Sequence, residues 1–270
     1  MPRLIFDIET VGEDFDALDE TTQKVLTRWI EKEASNAEDY RLALEDLKSG
    51  LGFSPLTGEI VAIGVLDGDR DQGVVYFQAP GGKESESTHE NFKLKPMTEK
   101  EMLENFWQGA KNYDEFISFN GRAFDVPFLM IRSAIHNLRP TRDLMEGRYL
   151  YQQKSCRHID LLDQLTFYGA VRRKGNLQLW ARAFGVKSPK SEGVSGDDIG
   201  RLFRRGLGLA ALAPTLALGV VLNRLGGGRC GLALGGRHLL GVFGGLDGHR
   251  LGGGGLGGSG RLLGGHARSR

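Results

Sequence analysis

Apolar and polar residues follow two different periods in the first half of the chain. Residues 3–9 and 59–65 are apolar runs of strand length, and residues 73–77 form a third run after an Asp/Gly turn. Such runs predict one strand followed by a hairpin. Between residues 16 and 48 the apolar positions recur every three or four residues, which predicts a helical insertion after the first strand.

Strands and helices are predicted to alternate in the second half. The sequence Thr-Glu-Lys-Glu at 98–101 is a capping box that opens a helix, and residues 115–119 read as a strand ending at an Asn-Gly pair. A helix is expected over 124–138, a strand end running into a short helix over 158–165, and a last helix over 177–184. Three early strands followed by this alternation predict a mixed α/β sheet covered by helices.

The composition divides the chain near residue 205. Residues 206–270 hold 22 of the 40 glycines, 16 leucines, seven arginines, no lysine and a single acid. Residues 1–205 carry 28 basic and 33 acidic side chains, so the net charge of +1 hides an acidic body and a basic tail. A net basic charge therefore gives no support for nucleic-acid binding by the body. About 205 residues suffice for one domain with a sizeable core.

Cysteine content and hydropathy set the expected compartment. Two cysteines, Cys156 and Cys230, provide no disulfide framework, which fits a reducing environment. No apolar signal region of adequate length follows Met1, and the longest apolar run, 207–222, is interrupted by Pro214 and is shorter than the roughly 20 residues that a membrane span needs. We expect a cytoplasmic protein without a membrane partner.

Two carboxylates lie two positions apart in the first predicted strand. Because side chains alternate across a strand, Asp7 and Glu9 point to one face, about 7 Å apart along the backbone. Like charges on a half-buried strand repel and resist desolvation unless a positive charge lies between them, and a divalent metal commonly supplies it. The alternative is that both side chains line a solvent-facing strand edge.

A third carboxylate follows the Asn-Gly turn at 120–121. Asp125 occupies the junction between a predicted strand and a predicted helix, which is where α/β sheets place their ligand sites. An aspartate in the first turn also favours the helix dipole and needs no metal. Its combination with Asp7 and Glu9 favours the metal interpretation.

These motifs resemble those of a known enzyme family. Phe6-Asp7-Ile8-Glu9-Thr10 is similar to the first motif of the DEDD (DnaQ-like) 3′-5′ exonucleases, and Asn120-Gly-x-x-Phe-Asp-x-Pro-Phe128 is similar to the second. The resemblance is to the proofreading domain of family-B DNA polymerases in particular. It covers roughly residues 1–205 and implies an RNase H-like fold, with an antiparallel arrangement of the first three strands and parallel strands after them.

The resemblance also implies a chemistry and a set of roles. Two Mg²⁺ or Mn²⁺ ions would bind the scissile phosphate, and carboxylate oxygens are the ligands that such hard cations prefer. Asp7 would bridge both ions, while Glu9 and Asp125 would each support one of them. Thr10 would lie near the terminal nucleotide and Asn120 would shape the loop. Phe124 and Phe128 are candidates to stack on a base, with packing in the core as the alternative.

The third motif of the family, Tyr-x-x-x-Asp or His-x-x-x-x-Asp, is missing from its expected place. His158 and Asp163 have the second spacing, but they precede the predicted helix at 177–184, whereas the family's motif follows that helix. We therefore expect His158 not to be catalytic and Asp160 to order the strand end. Asp197 and Asp198 are expected to begin a helix as cap and dipole partners.

Two explanations remain open for residues 206–270. In the first, a frameshift or sequencing error near Arg205 replaces the third-motif helix with residues read from a GC-rich gene in the wrong frame, which would be mostly Gly, Leu, Arg and Ala. In the second, the segment is a natural low-complexity, disordered tail, which would have the same composition. Resequencing distinguishes them, because only the first predicts that a one-base shift near codon 205 opens a frame encoding Tyr-x-x-x-Asp. We expect an exonuclease domain at 1–205, incomplete at its C-terminal end, followed by this tail.

The sequence thus predicts a metal-dependent 3′-5′ exonuclease with weakened or lost activity. Its substrate would be single-stranded DNA, with RNA possible, and any polymerase or repair partner would be a separate chain. A catalytically inactive nucleic-acid-binding module of the same fold is the main alternative. A phosphodiesterase that uses the same metals on small nucleotides also remains open.

Overall fold

The computed structural model describes residues 1–81, 85–185 and 203. Seven strands form one sheet. They are β1 (Arg3–Gly12), β2 (Gly58–Asp67), β3 (Gln72–Phe77), β4 (Ser87–His89), β5 (Phe92–Pro96), β6 (Glu115–Ser118) and β7 (Arg157–Asp160). Six helices connect or flank them. They are α1 (Glu20–Glu33), α2 (Ala37–Gly50), α3 (Glu99–Ala110), α4 (Asp125–Ile135), α5 (Leu161–Leu165) and α6 (Leu177–Ala183).

The sheet has the order β4-β5-β3-β2-β1-β6-β7. Strand β1 pairs antiparallel with β2, and β2 pairs antiparallel with β3, whereas β6 pairs parallel with both β1 and β7. This topology confirms the predicted mixed α/β, RNase H-like fold. Because β1, β6 and β7 are parallel, their carboxyl ends meet at the same edge of the sheet, where such folds place ligands.

Strands β4 and β5 were not predicted. Strand β5 pairs parallel with β3, and β4 pairs antiparallel with β5 at the sheet edge. Every residue of β4 is exposed, so no apolar alternation marks it. In β5 only Phe92 and Leu94 are fully buried, and a proline ends the strand, so its signal is short.

The main core lies between the sheet and helices α3 and α4. Phe6 of β1 is fully buried and meets the ring of Phe106 edge-on at a centroid distance of 5.6 Å. Trp107 of α3 donates a 2.7 Å hydrogen bond from Nε1 to Oγ of Ser133 in α4, which satisfies two buried polar atoms and joins the helices. The core therefore fixes β1 and the start of α4 relative to each other.

The predicted helical insertion is the helix pair α1 and α2. Asp19 caps the first helix and Asn36 caps the second through hydrogen bonds to backbone N–H groups. After α2 the backbone passes very close to β1 at Gly12. A Cβ on Gly12 would lie only 2.7 Å from the backbone nitrogen of Gly52. Glycine is thus required at this crossing, which brings the end of the insertion beside the second half of β1.

Several expectations lie outside the described residues. These are the domain boundary at 205, the tail at 206–270 and the helix start at Asp197 and Asp198. Among the helices that the structure does describe, none combines the length and the hydropathy that crossing a bilayer requires.

Candidate active site

The side chains of Asp7 and Asp125 come together at the carboxyl end of the sheet. Asp7 lies in the middle of β1, and Asp125 is the first residue of α4. The backbone N–H of Ile8 donates a 3.0 Å hydrogen bond to Oδ1 of Asp125, which is 97 % buried. The strand backbone therefore holds Asp125 next to Asp7, and the two carboxyl groups share a hydrogen bond.

The electrostatics of this pair are those of a site with excess negative charge. Burial and, to a smaller extent, the nearby carboxylate of Glu9 raise the pKa of Asp7 to about 8, although the hydrogen bond with Asp125 acts in the opposite direction. Burial and the charge of Asp7 also raise the pKa of Asp125 well above its usual range. Groups that resist ionisation because of burial and like charge mark candidate functional sites.

Glu9 lies close enough to raise the pKa of Asp7, but the three carboxylates do not form a tight ligand cluster. Across residues 1–81 and 85–185, no group of three or more His, Cys, Asp and Glu side chains is positioned to hold a metal ion. Carboxylates repel each other in the absence of a cation, which keeps such a set apart. Two of the three predicted ligands are thus in contact, and the third is their electrostatic neighbour.

Thr10 and the β-bulge beside it connect the site to the helical insertion. The register of β1 against β2 shifts between Glu9 and Thr10, so Val61 of β2 is an extra residue opposite the step that follows the second carboxylate. The Thr10 hydroxyl donates a 2.7 Å hydrogen bond to the backbone oxygen of Gly52. This bond holds the end of the insertion against the site.

The Asn120 turn is shaped by a left-handed backbone and by Asp160. Asn120 has a φ of 62°, a conformation that asparagine tolerates better than most residues. The Asp160 carboxylate accepts hydrogen bonds from the backbone N–H groups of Asn120 at 2.9 Å and Arg122 at 3.0 Å, and also from Leu162 in α5. Asp160 therefore orders the strand end, as predicted, and sets the approach to Asp125.

Gly121 gives a direct test of how closely this turn is packed. A Cβ at Gly121 would lie 2.6 Å from Cβ of the buried Ser118. We expect Gly121→Ala to lower the free energy of unfolding by about 1–3 kcal/mol, because overpacking displaces the turn. Gly109→Ala is the matched control, since its Cβ would meet nothing within 4 Å on helix α3, and it should stabilise by about 0.5–1 kcal/mol. Urea unfolding measures both variants, and equal midpoints would contradict the close packing.

His158 is a buried structural residue. Its side chain is almost fully buried, Nε2 lies 2.8 Å from Ser118 Oγ, and Nδ1 lies 3.0 Å from the backbone oxygen of Leu144. Burial lowers the pKa of His158 to about 4, so the neutral ring is stable here. Both ring nitrogens are occupied, which confirms that His158 is not positioned to activate a water.

Aromatic rings lie beside the carboxylates at the end of the insertion. Phe128 is fully buried, so the core-packing alternative is correct for it. Phe124 is half-buried, 5.1 Å from the Phe128 ring and 6.4 Å from the Phe53 ring. Phe53 is 70 % exposed and was not among the predicted site residues. The exposed ring of Phe53 extends the surface of Phe124 towards solvent.

The sequence of the chain is similar to that of a known protein family. The profile of one family matches residues 58–210, which is more than half of the chain, and its members are described as predicted 3′-5′ exonucleases related to the exonuclease domain of PolB. The chain belongs to this family. No curated protein matches the chain.

The family match covers one part of the candidate site and not the other. It includes the Asn120 turn and Asp125, whereas β1 with Asp7 and Glu9 precedes the matched range. The contact between Asp7 and Asp125 is therefore the structural link between the PolB-related segment and the first strand.

Proposed function

We propose that the protein is a divalent-metal-dependent 3′-5′ exonuclease acting on single-stranded DNA, with turnover limited by the absence of a recognisable fourth carboxylate. The observation that supports this most strongly is the contact of Asp7 with Asp125 beside Glu9, in a chain of the PolB-related exonuclease family. Membership of the family supports 3′-5′ exonuclease activity, and the neighbouring carboxyl groups are a candidate site for that reaction.

The donor set fits Mg²⁺ or Mn²⁺. Asp7, Glu9 and Asp125 would hold the ions, because carboxylate oxygens are the preferred ligands of hard cations. A cation would offset the burial and the repulsion from Glu9 that together raise the pKa of Asp7. When bound, such ions lower the pKa of an attacking water and neutralise charge on the leaving oxygen.

The chain's own residues would orient the site and the substrate. The N–H of Ile8 fixes the Asp125 carboxyl group, and Asp160 fixes the turn at Asn120 that precedes it. Phe124 and Phe53 would offer ring surface to the terminal base, since base–aromatic stacking tolerates every sequence. Thr10 would keep the insertion close to the terminal nucleotide through its bond to Gly52.

A second candidate is non-catalytic nucleic-acid binding by the same fold. It is favoured by the lack, within the described residues, of a three-carboxylate cluster ready to hold a metal. In that case the site would bind a strand end without cleaving it.

A ladder assay separates these functions. Purified full-length protein is incubated with a 5′-fluorescein-labelled single-stranded DNA in Mn²⁺, and a ladder of products shortened one nucleotide at a time from the 3′ end is expected, with none in EDTA. A circular single strand should resist, because it has no end. Cleavage of the circle, or no shortening of the linear strand, would contradict the exonuclease. Parallel reactions with RNA and with the p-nitrophenyl ester of thymidine 5′-monophosphate test the other substrate classes.

Phe53 provides a prediction specific to this chain. Replacing Phe53 with Ala should lower cleavage of the single strand about 5- to 150-fold at limiting substrate, which corresponds to the loss of about 1–3 kcal/mol of stacking on one base. Leu56→Ala is the control, because Leu56 is close to Phe53 in the sequence, is 73 % exposed and carries no aromatic ring. Equal losses in the two variants would refute a stacking role for Phe53.

A further inference from the structure

Three tyrosine rings form a cluster that is exposed at Tyr149 and Tyr151 and half-buried at Tyr168. Tyr149 and Tyr151 stack with ring centroids 5.7 Å apart and an interplanar angle of 9°, and Tyr168 meets Tyr149 edge-on at 4.6 Å. Tyr151 is 81 % exposed. We call Tyr149, Tyr151 and Tyr168 the tyrosine platform. Its outer ring leaves a flat face open to solvent.

The backbone beside the platform adopts an unfavourable conformation. Phe167 and Tyr168 have φ values of 51° and 57°, a left-handed region in which bulky residues are genuine outliers. A 2.6 Å hydrogen bond from the Tyr168 N–H to the backbone oxygen of Asp163 and a 2.7 Å bond from Gln164 Nε2 to the Tyr168 hydroxyl hold this shape. In this backbone conformation the side chain of Phe167 is 57 % exposed. An exposed phenylalanine ring does not stabilise the fold by burial. Residues with rarely populated backbone angles, such as Phe167 and Tyr168, are found more often at binding sites.

Cationic side chains lie on both sides of the platform in the sequence. Arg148 precedes Tyr149 and forms a 2.8 Å ion pair with Asp163 of α5. Arg172, Arg173 and Lys174 follow Tyr168 closely and are exposed, and within the described residues they make no ion pair. Aromatic rings between such cations are the combination that binds a single strand, because bases stack while cations meet phosphates.

The platform is tied to the same turn as the candidate active site. The Arg122 guanidinium donates hydrogen bonds to the backbone oxygens of Leu144 and Met145, at the start of the segment that leads to Tyr149. Tyr168 follows α5, which begins directly at Asp160, the residue that holds the Asn120 turn. Both platform segments are therefore anchored at the carboxyl edge of β6 and β7.

We propose that the tyrosine platform binds single-stranded nucleic acid by stacking on bases upstream of the strand's 3′ end. The inference rests on the proposed function for the identity of the ligand, but it requires no cleavage. The site differs from the carboxylate site in its residues and in its independence of metal. A second copy of the chain or another protein would compete for the same apolar face.

Binding without metal tests the platform separately from catalysis. Fluorescence anisotropy with 5′-labelled dT20 in EDTA should show that Tyr151→Ala weakens binding about 5- to 150-fold, since one stacked base contributes about 1–3 kcal/mol. Tyr151→Phe should bind as wild type does, because stacking needs only the ring. Trp29→Ala, an exposed aromatic residue on α1, is the matched control and should have no effect. Because Tyr151 is so exposed, its replacement leaves the fold intact.

Other outcomes overturn the proposal in distinct ways. Unchanged dT20 binding by Tyr151→Ala, or equal affinity of wild type for dT20 and for a base-free deoxyribose-phosphate strand, would remove the stacking role. A wild-type dimer that Tyr151→Ala converts to monomer in sedimentation would assign the face to self-association. Because the binding assay contains EDTA and needs no cleavage, failure of the proposed exonuclease activity does not affect the interpretation of the dT20 result.

Discussion

Replacing Asp7 with Asn is expected to abolish Mn²⁺-dependent shortening of a single-stranded DNA while raising thermal stability. The neutral amide cannot supply the anionic oxygen that a divalent cation prefers, so the cleavage rate should fall by at least about 100-fold, or roughly 2.7 kcal/mol of barrier. Without metal, however, the raised pKa of Asp7 beside Glu9 and Asp125 means that folding at neutral pH requires either proton uptake by this carboxyl group or a desolvated charge, and a neutral amide avoids both costs. In EDTA the unfolding midpoint of Asp7→Asn should therefore exceed that of wild type.

The opposite signs of these two effects make the test specific. A residue that merely supports the fold would lose activity and stability together when replaced. Asp46→Asn on α2 is the matched control, because Asp46 is exposed and is not one of the proposed metal ligands, and it should change neither quantity. Activity that survives in Asp7→Asn, or a midpoint that falls, would show that Asp7 is not a metal ligand held under electrostatic strain.

The fold follows closely from local patterns. The capping box at Thr98 forms as predicted, with Glu101 Oε2 accepting a 2.8 Å hydrogen bond from the Thr98 N–H. The long strands β1, β2 and β3 are found where apolar runs of strand length predict them. What the pattern misses is the edge pair β4 and β5, because an exposed edge strand has no core face to impose alternation.

The candidate site was predictable only as far as motifs describe it. Asp7 and Asp125 are 118 positions apart, and their proximity follows from the parallel pairing of β1 with β6 and from the short turn that leads to α4. Phe53 could not be predicted, because its position depends on the crossing of Gly12 and Gly52. No local sequence pattern predicts which part of the sheet the end of the helical insertion packs against.

The basic residues after Asp125 illustrate the same limit. Basic residues recur in the sequence after Asp125 and could follow a phosphate backbone, but some of them form ion pairs within the fold: Arg132 pairs with Glu99 and Arg157 with Glu115. Partners so distant in the sequence are invisible to a local pattern. The tertiary structure thus separates structural cations from those that remain exposed, such as Arg172.

The second large effect concerns Glu99, whose carboxylate joins α3, α4 and β2. It accepts hydrogen bonds from Arg132 Nε at 2.8 Å and Nη2 at 2.7 Å and from the Ile60 N–H at 2.7 Å, and it lies 2.6 Å from His136 Nε2. Glu99 is 95 % buried. Glu99→Ala should lower the free energy of unfolding by about 3–5 kcal/mol, because the replacement leaves the Arg132 charge buried without its partner. Glu104→Ala, exposed on the same helix, should change it by less than about 0.5 kcal/mol.

Acid should remove the advantage of the Glu99 carboxylate. Burial alone would raise the pKa of Glu99, but the hydrogen bonds from Arg132, His136 and Ile60 outweigh it and hold that pKa below its ordinary value of 4.5. A folded-state pKa below the unfolded one means that the stabilisation is complete above the unfolded value and is lost as the pH falls through the folded one. In urea unfolding, the stability difference between wild type and Glu99→Gln should thus be largest near pH 7 and shrink well below pH 4.5. A difference that stays constant or grows on acidification would show that the ionised carboxylate does not hold α3 to α4.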